Sequence, residues 1–239
     1  TFLQLDVYEQ EAPEECPFEP TADETALCNI AYSSNANDLS LVDWNCVSET
    51  KPVNRPIWTG VTCEYGKITE IDISSMGFVG AQPLPASLGN MTALPRLDFH
   101  DSHFTGPLAL QWGMLTNSVH FDLSDTLATG VIPSEFGSLS QVTNLNLSGN
   151  KLIGTIPDSF QRLSHTLTLA LNDNELTSSL PESLGKLDHL KELYLDNNFI
   201  SGDVGSYFCV FNNIDTFMVA SNNSFLILVS TRKVISRTI

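Results

Sequence analysis

Apolar residues stand two apart along this chain, and the pair returns at a fixed interval. In LNLSGNKLIGTIPDSF, residues 145–160, Leu145 and Leu147 are followed by Asn150, Gly154 and Ile156-Pro157. Steps of 24 residues from Leu145 land on Leu97, Phe121, Leu169, Leu193 and Phe217, and one further step back, to Ile71, takes 26. The second apolar position reads Ile73, Phe99, Leu123, Leu147, Leu171, Leu195 and Val219. Five residues after each anchor come Met76, Ser102, Thr126, Asn150, Asn174, Asn198 and Asn222. Nine after stand Gly80 (in the offset repeat), Gly106, Gly130, Gly154, Ser178 and Gly202, until Leu226 breaks the series. Self-similarity over seven units defines a repeat architecture and takes precedence over any local motif.

Each position has a physical reading. Residues two apart put both side chains on one face of a short strand, so every unit offers one strand to a common core. A single unit of this length cannot bury that face alone, and stacked neighbours supply the continuous interior. An Asn carries both donors and an acceptor and can pair with backbone groups freed at the turn. Ser102 and Thr126 do part of that job, whereas Met76 cannot, which marks the first coil as atypical. The Gly positions suit a backbone bend. Leu-Pro or Ile-Pro at 84–85, 132–133, 156–157 and 180–181 fixes φ after a short extended stretch.

The pattern L-x-x-L-x-L-x-x-N-x-L-x-G-x-I-P-x-x-L-G resembles the plant-type leucine-rich repeat, and residues 142–165 follow it almost position for position. Asp43-Trp44-Asn45-Cys46 and Trp58-Thr59-Gly60-Val61-Thr62-Cys63 are similar to the N-terminal cap of such proteins. The resemblance implies a right-handed solenoid with a parallel sheet on its concave face and an N-terminal helical cap closed by a Cys46–Cys63 disulfide. Cys16–Cys28 is the second expected pair, which leaves Cys209 as a small buried hydrophobe. The expected organisation is an acidic extension over 1–24, the cap over 25–66 with a helix around Thr25–Ser33, about seven repeats over 67–223, and an irregular tail or cap over 224–239. The tail alternates β-branched residues and reads as strand, either covering the last coil or adding to a neighbouring chain. The family further implies recognition of a protein, peptide or glycan, as in receptor-like ectodomains and polygalacturonase inhibitors.

Composition narrows the function classes. The net charge is −17, and the first 50 residues hold 11 acidic side chains and neither Lys nor Arg. Such a chain is a poor ligand for nucleic acid or an anionic membrane surface and is compatible with basic partners. No apolar run approaches the roughly 20 residues that span a bilayer, so a soluble chain is expected. It starts at Thr1, which implies a removed leader or a fragment. The cap cysteines and the sequons at Asn90, Asn146 and Asn222 favour an oxidising location, secreted or luminal.

Candidate chemistry lies on the concave face, where positions one, three and four after each anchor turn outward. Asp72, Asp98 and Asp122 should stand side by side, about 4.8 Å apart, with His100, Asp101, Asp125, Asp173, Tyr194 and Asp196 around them. The strip is either a site for a basic peptide, a basic protein or a cation, or simply what this repeat writes there, since repulsion between solvated neighbours is only about 1 kcal/mol. Catalysis is not expected: there is no G-x-S-x-G, no phosphate-cradling Gly loop and no H-E-x-x-H. His100 and His120 are expected to lie too far apart to share a metal, so no metal or cofactor is assigned. The alternative function is an accessory subunit of a larger assembly, held through its termini.

Overall fold

The computed structural model describes residues 60–64, 67–74, 83–203, 214–219 and 223–226. The four coils described in full, between residues 96 and 186, each contribute two strands and one helical turn. The first sheet contains β1 (Val61–Glu64), β2 (Lys67–Asp72), β3 (Arg96–Asp98), β5 (His120–Asp122), β7 (Asn144–Asn146), β9 (Thr168–Ala170), β11 (Glu192–Tyr194) and β13 (Thr216–Met218). β1 is antiparallel to β2, and every later neighbour is parallel. Anchor faces anchor throughout, including Ile71 opposite Leu97 across the 26-residue step.

A second parallel sheet, absent from the expectation, backs the first: β4 (Gly106–Pro107), β6 (Ala128–Val131), β8 (Lys151–Gly154), β10 (Glu175–Ser179), β12 (Phe199–Asp203) and β14 (Ser224–Leu226). Leu152, Leu176 and Ile200 point from it into the core. Its last strand uses the first three residues assigned to the irregular tail, so the repeat runs on to Leu226. The remaining tail, the extension, the cap helix, Cys16, Cys28, Cys46, Cys209 and Asn222 lie outside the described residues. The backbone of Cys63 lies in β1.

The helical part of the coil is 3-10 rather than α. Five such turns, Ala86–Asn90, Leu110–Met114, Ser134–Ser138, Asp158–Arg162 and Glu182–Lys186, each follow an extended residue, Pro in four cases. They stack most closely at Gly89, Gly113 and Gly137, whereas Gln161 fills the same place in the fourth turn. A Cβ on Gly137 would sit 2.4 Å from the Ser159 carbonyl oxygen of the next coil, and one on Gly113 equally close to that of Glu135.

Between the layers runs one hydrophobic core containing every described anchor and its +2 partner. Beside it lies a polar spine. Ser102, Thr126, Asn150, Asn174 and Asn198 are all at most 8% exposed. Asn174 accepts the Leu152 N–H at 3.0 Å and donates to the carbonyls of Leu147 and Leu171. Leu147 O also accepts from Asn150, and Leu171 O from Asn198, so each carbonyl is shared by successive asparagines. Asn223 extends the spine to the last coil through Ile200 N and Leu195 O. Burial without loss of hydrogen bonding explains why this position reads Asn once the coils become regular.

Candidate functional site

The first sheet displays its outward rows along the concave surface. The +1 row runs Asp72, Asp98, Asp122, Asn146, Ala170, Tyr194, Met218 across seven strands in strict register. Each Asp or Asn at its acidic end performs a local task. Asp72 Oδ1 accepts from the Ser74 N–H and hydroxyl, Asp122 Oδ1 from those of Ser124, and Asn146 Oδ1 from those of Ser148. The +4 row has another reason for its acids. Asp101, Asp125, Gly149, Asp173 and Asn197 all adopt φ between +53° and +66°, a region that Asp, Asn and Gly tolerate best.

The strip is therefore not a column of independently solvated carboxylates. Asp98 is only 4% exposed. The row before the anchors, Glu70, Arg96, His120, Asn144, Thr168, Glu192 and Thr216, shares the concave face, because side chains alternate with period two. It brings Arg96 to 2.8 Å from Asp98 Oδ2, 2.7 Å from Glu70 and 3.9 Å from Asp72. One guanidinium thus answers three acids. Sequence analysis passed over this row, although the two-residue alternation that selected +1 and +3 also selects −1.

Two histidines flank the same acid. His100 takes the place of the hydroxyl residue at +3, and its Nδ1 lies 2.8 Å from Asp98 Oδ1. His120, at −1 on the next strand, brings Nε2 to 3.4 Å from Asp98 Oδ2. Asp98 sits between them and meets both, while the donor atoms that converge within 4.8 Å include His120 and not His100. Burial by itself would raise the Asp98 pKa, but hydrogen bonds from His120 and His100 outweigh it and hold the carboxyl well below the usual range. In return, the hydrogen bond to Asp98 raises the His100 pKa.

Other candidates form a second group further along the sheet. Burial and the charges of Asp101 and Asp173 raise the Asp125 pKa. Burial also raises that of Asp196, whereas Asn197 and Asn172 donate to the two oxygens of Asp173. Tyr194 is half-buried between Ala170 and Met218, its phenol pushed up by burial and by Glu192. Asn90 is exposed at the end of a 3-10 turn. Asn146 is engaged, with Nδ2 donating to Asp122 Oδ2 at 3.0 Å. A small pocket between the layers is lined by Leu84, Phe104, Trp112 and Leu123 and contains no titratable side chain. Among the described residues, no helix is long and apolar enough to cross a membrane.

Comparison with known proteins agrees with this anatomy. Residues 153–200 and 141–163 match family models described as leucine-rich repeats. No curated protein matches the chain. Among solved structures, a plant ice-binding protein is similar with a TM-score of 0.72 at 24% identity, over 85% of this chain and 72% of that one. The TDR receptor is 31% identical with a TM-score of 0.58, over 60% of this chain but only 25% of the receptor's. The Arabidopsis receptor kinase HAESA, in complex with the peptide hormone IDA and the co-receptor SERK1, gives 23% and 0.55, over 86% of this chain and 42% of that one. The stacked coils, the continuous strand ladder and the asparagine spine define a leucine-rich-repeat solenoid. Residues 141–200 carry the leucine-rich-repeat family's signature, and the fold of the described residues is similar to that of the plant structures.

Proposed function

We propose that the chain is a non-catalytic recognition module of an extracellular or luminal compartment that binds a protein, peptide or glycan through its concave face. One observation carries this reading: the concave side chains are fixed by one another while their outer edges remain accessible. Asn146 holds Asp122, Asn197 holds Asp173, and Glu192 accepts from Thr168. A surface ordered in advance loses little side-chain entropy when a ligand settles on it. The acids Asp125 and Asp173 grade into Tyr194 and Met218, which suits an extended ligand with a basic part and an apolar part. The HAESA complex with a peptide hormone supports the peptide class, at the level of fold similarity. Peptides selected from a display library should bind the wild-type chain, and Asp173→Ala with Tyr194→Ala should weaken them about tenfold or more, as loss of central anchors does. Unchanged affinity in that variant would remove the reading.

A second reading concerns the outer sheet and is favoured by the similarity to a plant ice-binding protein. Thr105, Thr129, Ile153, Thr177 and Ser201 recur every 24 residues, with Pro107, Val131, Thr155 and Ser179 beside them, although the strand register sets Thr129 against Pro107 and Lys151. These rows are partly or fully exposed, and Val131 reaches 58%. Ice demands a flat, regular, uncharged face. Lys151 and Glu175 interrupt the ladder, so the concave reading ranks first. Ice-recrystallisation inhibition that is lost in Thr129→Lys with Thr177→Lys, and kept in the concave variant, would reverse the ranking.

A further inference from the structure

We infer that Asp98, His120 and Asp122 form a binding site for a divalent transition-metal ion of the zinc class. One ligand atom from each lies within 4.8 Å of the others. Ligands around zinc stand about 2.0–2.2 Å from the ion, so modest side-chain rotation closes the remaining gap. The backbone already provides the convergence. His120 and Asp122 are two apart on β5 and share its outward face, while Asp98 on β3 is directly opposite Asp122.

The donor set selects the ion. Calcium and magnesium prefer oxygen alone and want six or more ligands, whereas one imidazole nitrogen with two carboxylates suits zinc and its neighbours. Local charge favours occupation: Arg96 answers Glu70, Asp72 and Asp98, and Asp122 adds a fourth acid opposite Asp98. Arg96 competes for Asp98 Oδ2, but on release it keeps its 2.7 Å partner Glu70. An outer layer orients the ligands, as good metal sites require. The Ser124 N–H and hydroxyl hold Asp122 Oδ1 at 2.8 and 2.7 Å, and the His100 N–H and ring hold Asp98 Oδ1 at 3.2 and 2.8 Å. The open side faces the concave groove, leaving coordination positions for water or a partner's donor.

The inference stands independently of the peptide reading, and its test contains no peptide. The full chain at neutral pH is titrated calorimetrically with zinc chloride, then with calcium chloride, circular dichroism confirming that each variant folds. One saturable zinc site is expected. His120→Ala and the isosteric Asp122→Asn should each weaken it about tenfold or more, since even outer-layer changes cost that much. Arg96→Gln, by removing the competitor, should tighten it. Cobalt(II) should report a nitrogen ligand in its visible absorption, lost in His120→Ala. The inference fails if zinc does not bind. It fails equally if both ligand variants bind zinc like the wild type, which would assign the ion to the cysteines, or if calcium binds as tightly, which would reduce the site to diffuse surface charge.

Discussion

Replacing Asn174 with alanine tests the spine that ties each coil to the next. The side chain is 6% exposed and makes four hydrogen bonds. Not all of them cost the same to lose. The Leu152 N–H has no other partner in the spine and would be buried unsatisfied, at about 1–3 kcal/mol. The carbonyls of Leu147 and Leu171 each keep one asparagine, Asn150 and Asn198, so their losses are nearer about 0.5–1.5 kcal/mol apiece. The fourth acceptor, Asn172 O, lies in a half-exposed residue that water can reach. The expected total is about 2–6 kcal/mol, a large part of the 5–15 kcal/mol that typically holds a domain. Asn174→Thr should fall between, because a hydroxyl supplies one donor, as Thr126 does toward Leu123 O. Urea unfolding followed by circular dichroism measures both, with the slope checked because a solenoid can unfold in segments. A loss below about 1 kcal/mol for Asn174→Ala would mean that water replaces the amide, and the spine would not couple the coils.

Two further outcomes follow from the geometry. Gly137→Ala drives a Cβ to 2.4 Å from the Ser159 carbonyl oxygen, so thermal unfolding should report a destabilisation of about 1–3 kcal/mol, the usual range for overpacking; an unchanged melting temperature would show that the 3-10 turns slide freely. Asp125→Asn acts through charge. Burial, then Asp101 and Asp173, raise this carboxyl's pKa, so the folded state holds the proton longer and wild-type stability falls as pH climbs from the unfolded value near about 3.9 through the raised folded one. The variant, whose amide tolerates the φ of +55°, should be the more stable at neutral pH and indistinguishable below about pH 3.9. A difference that persists in acid would assign the effect to something other than charge.

The parts of this molecule that were legible in its sequence are those set by period. The 24-residue interval aligned the anchors, and the Leu-x-Leu spacing identified the strands whose register the structure repeats residue for residue. The outer sheet escaped because its strands pair with a 22-residue step, Thr129 opposite Lys151 and Thr177 opposite Phe199, or 23 at the last pair, so its partners never line up at the repeat length. The concave acids were correctly located along the chain, but their chemistry was not. Asp72 and Asp122 bind hydroxyl residues two positions on, and Asp101, Asp125 and Asp173 occupy a left-handed backbone position. The mixture of Asp, Gly and Asn at +4 was the available signal. Arg96 was missed because it precedes the anchor, His120 was weighed only against His100, and the folded ladder reveals that Asp98 joins all three.

The claim on which the functional account turns is that ligand lies in the concave sheet. Carboxyl footprinting by carbodiimide labelling and mass spectrometry, with and without a selected peptide, addresses it directly. Asp125, Asp173, Glu192 and Asp196 should lose reactivity when the peptide is bound, while Glu175 and Glu182 on the outer side label as before. Protection of Glu175 and Glu182 with unchanged labelling of the concave four would contradict the account.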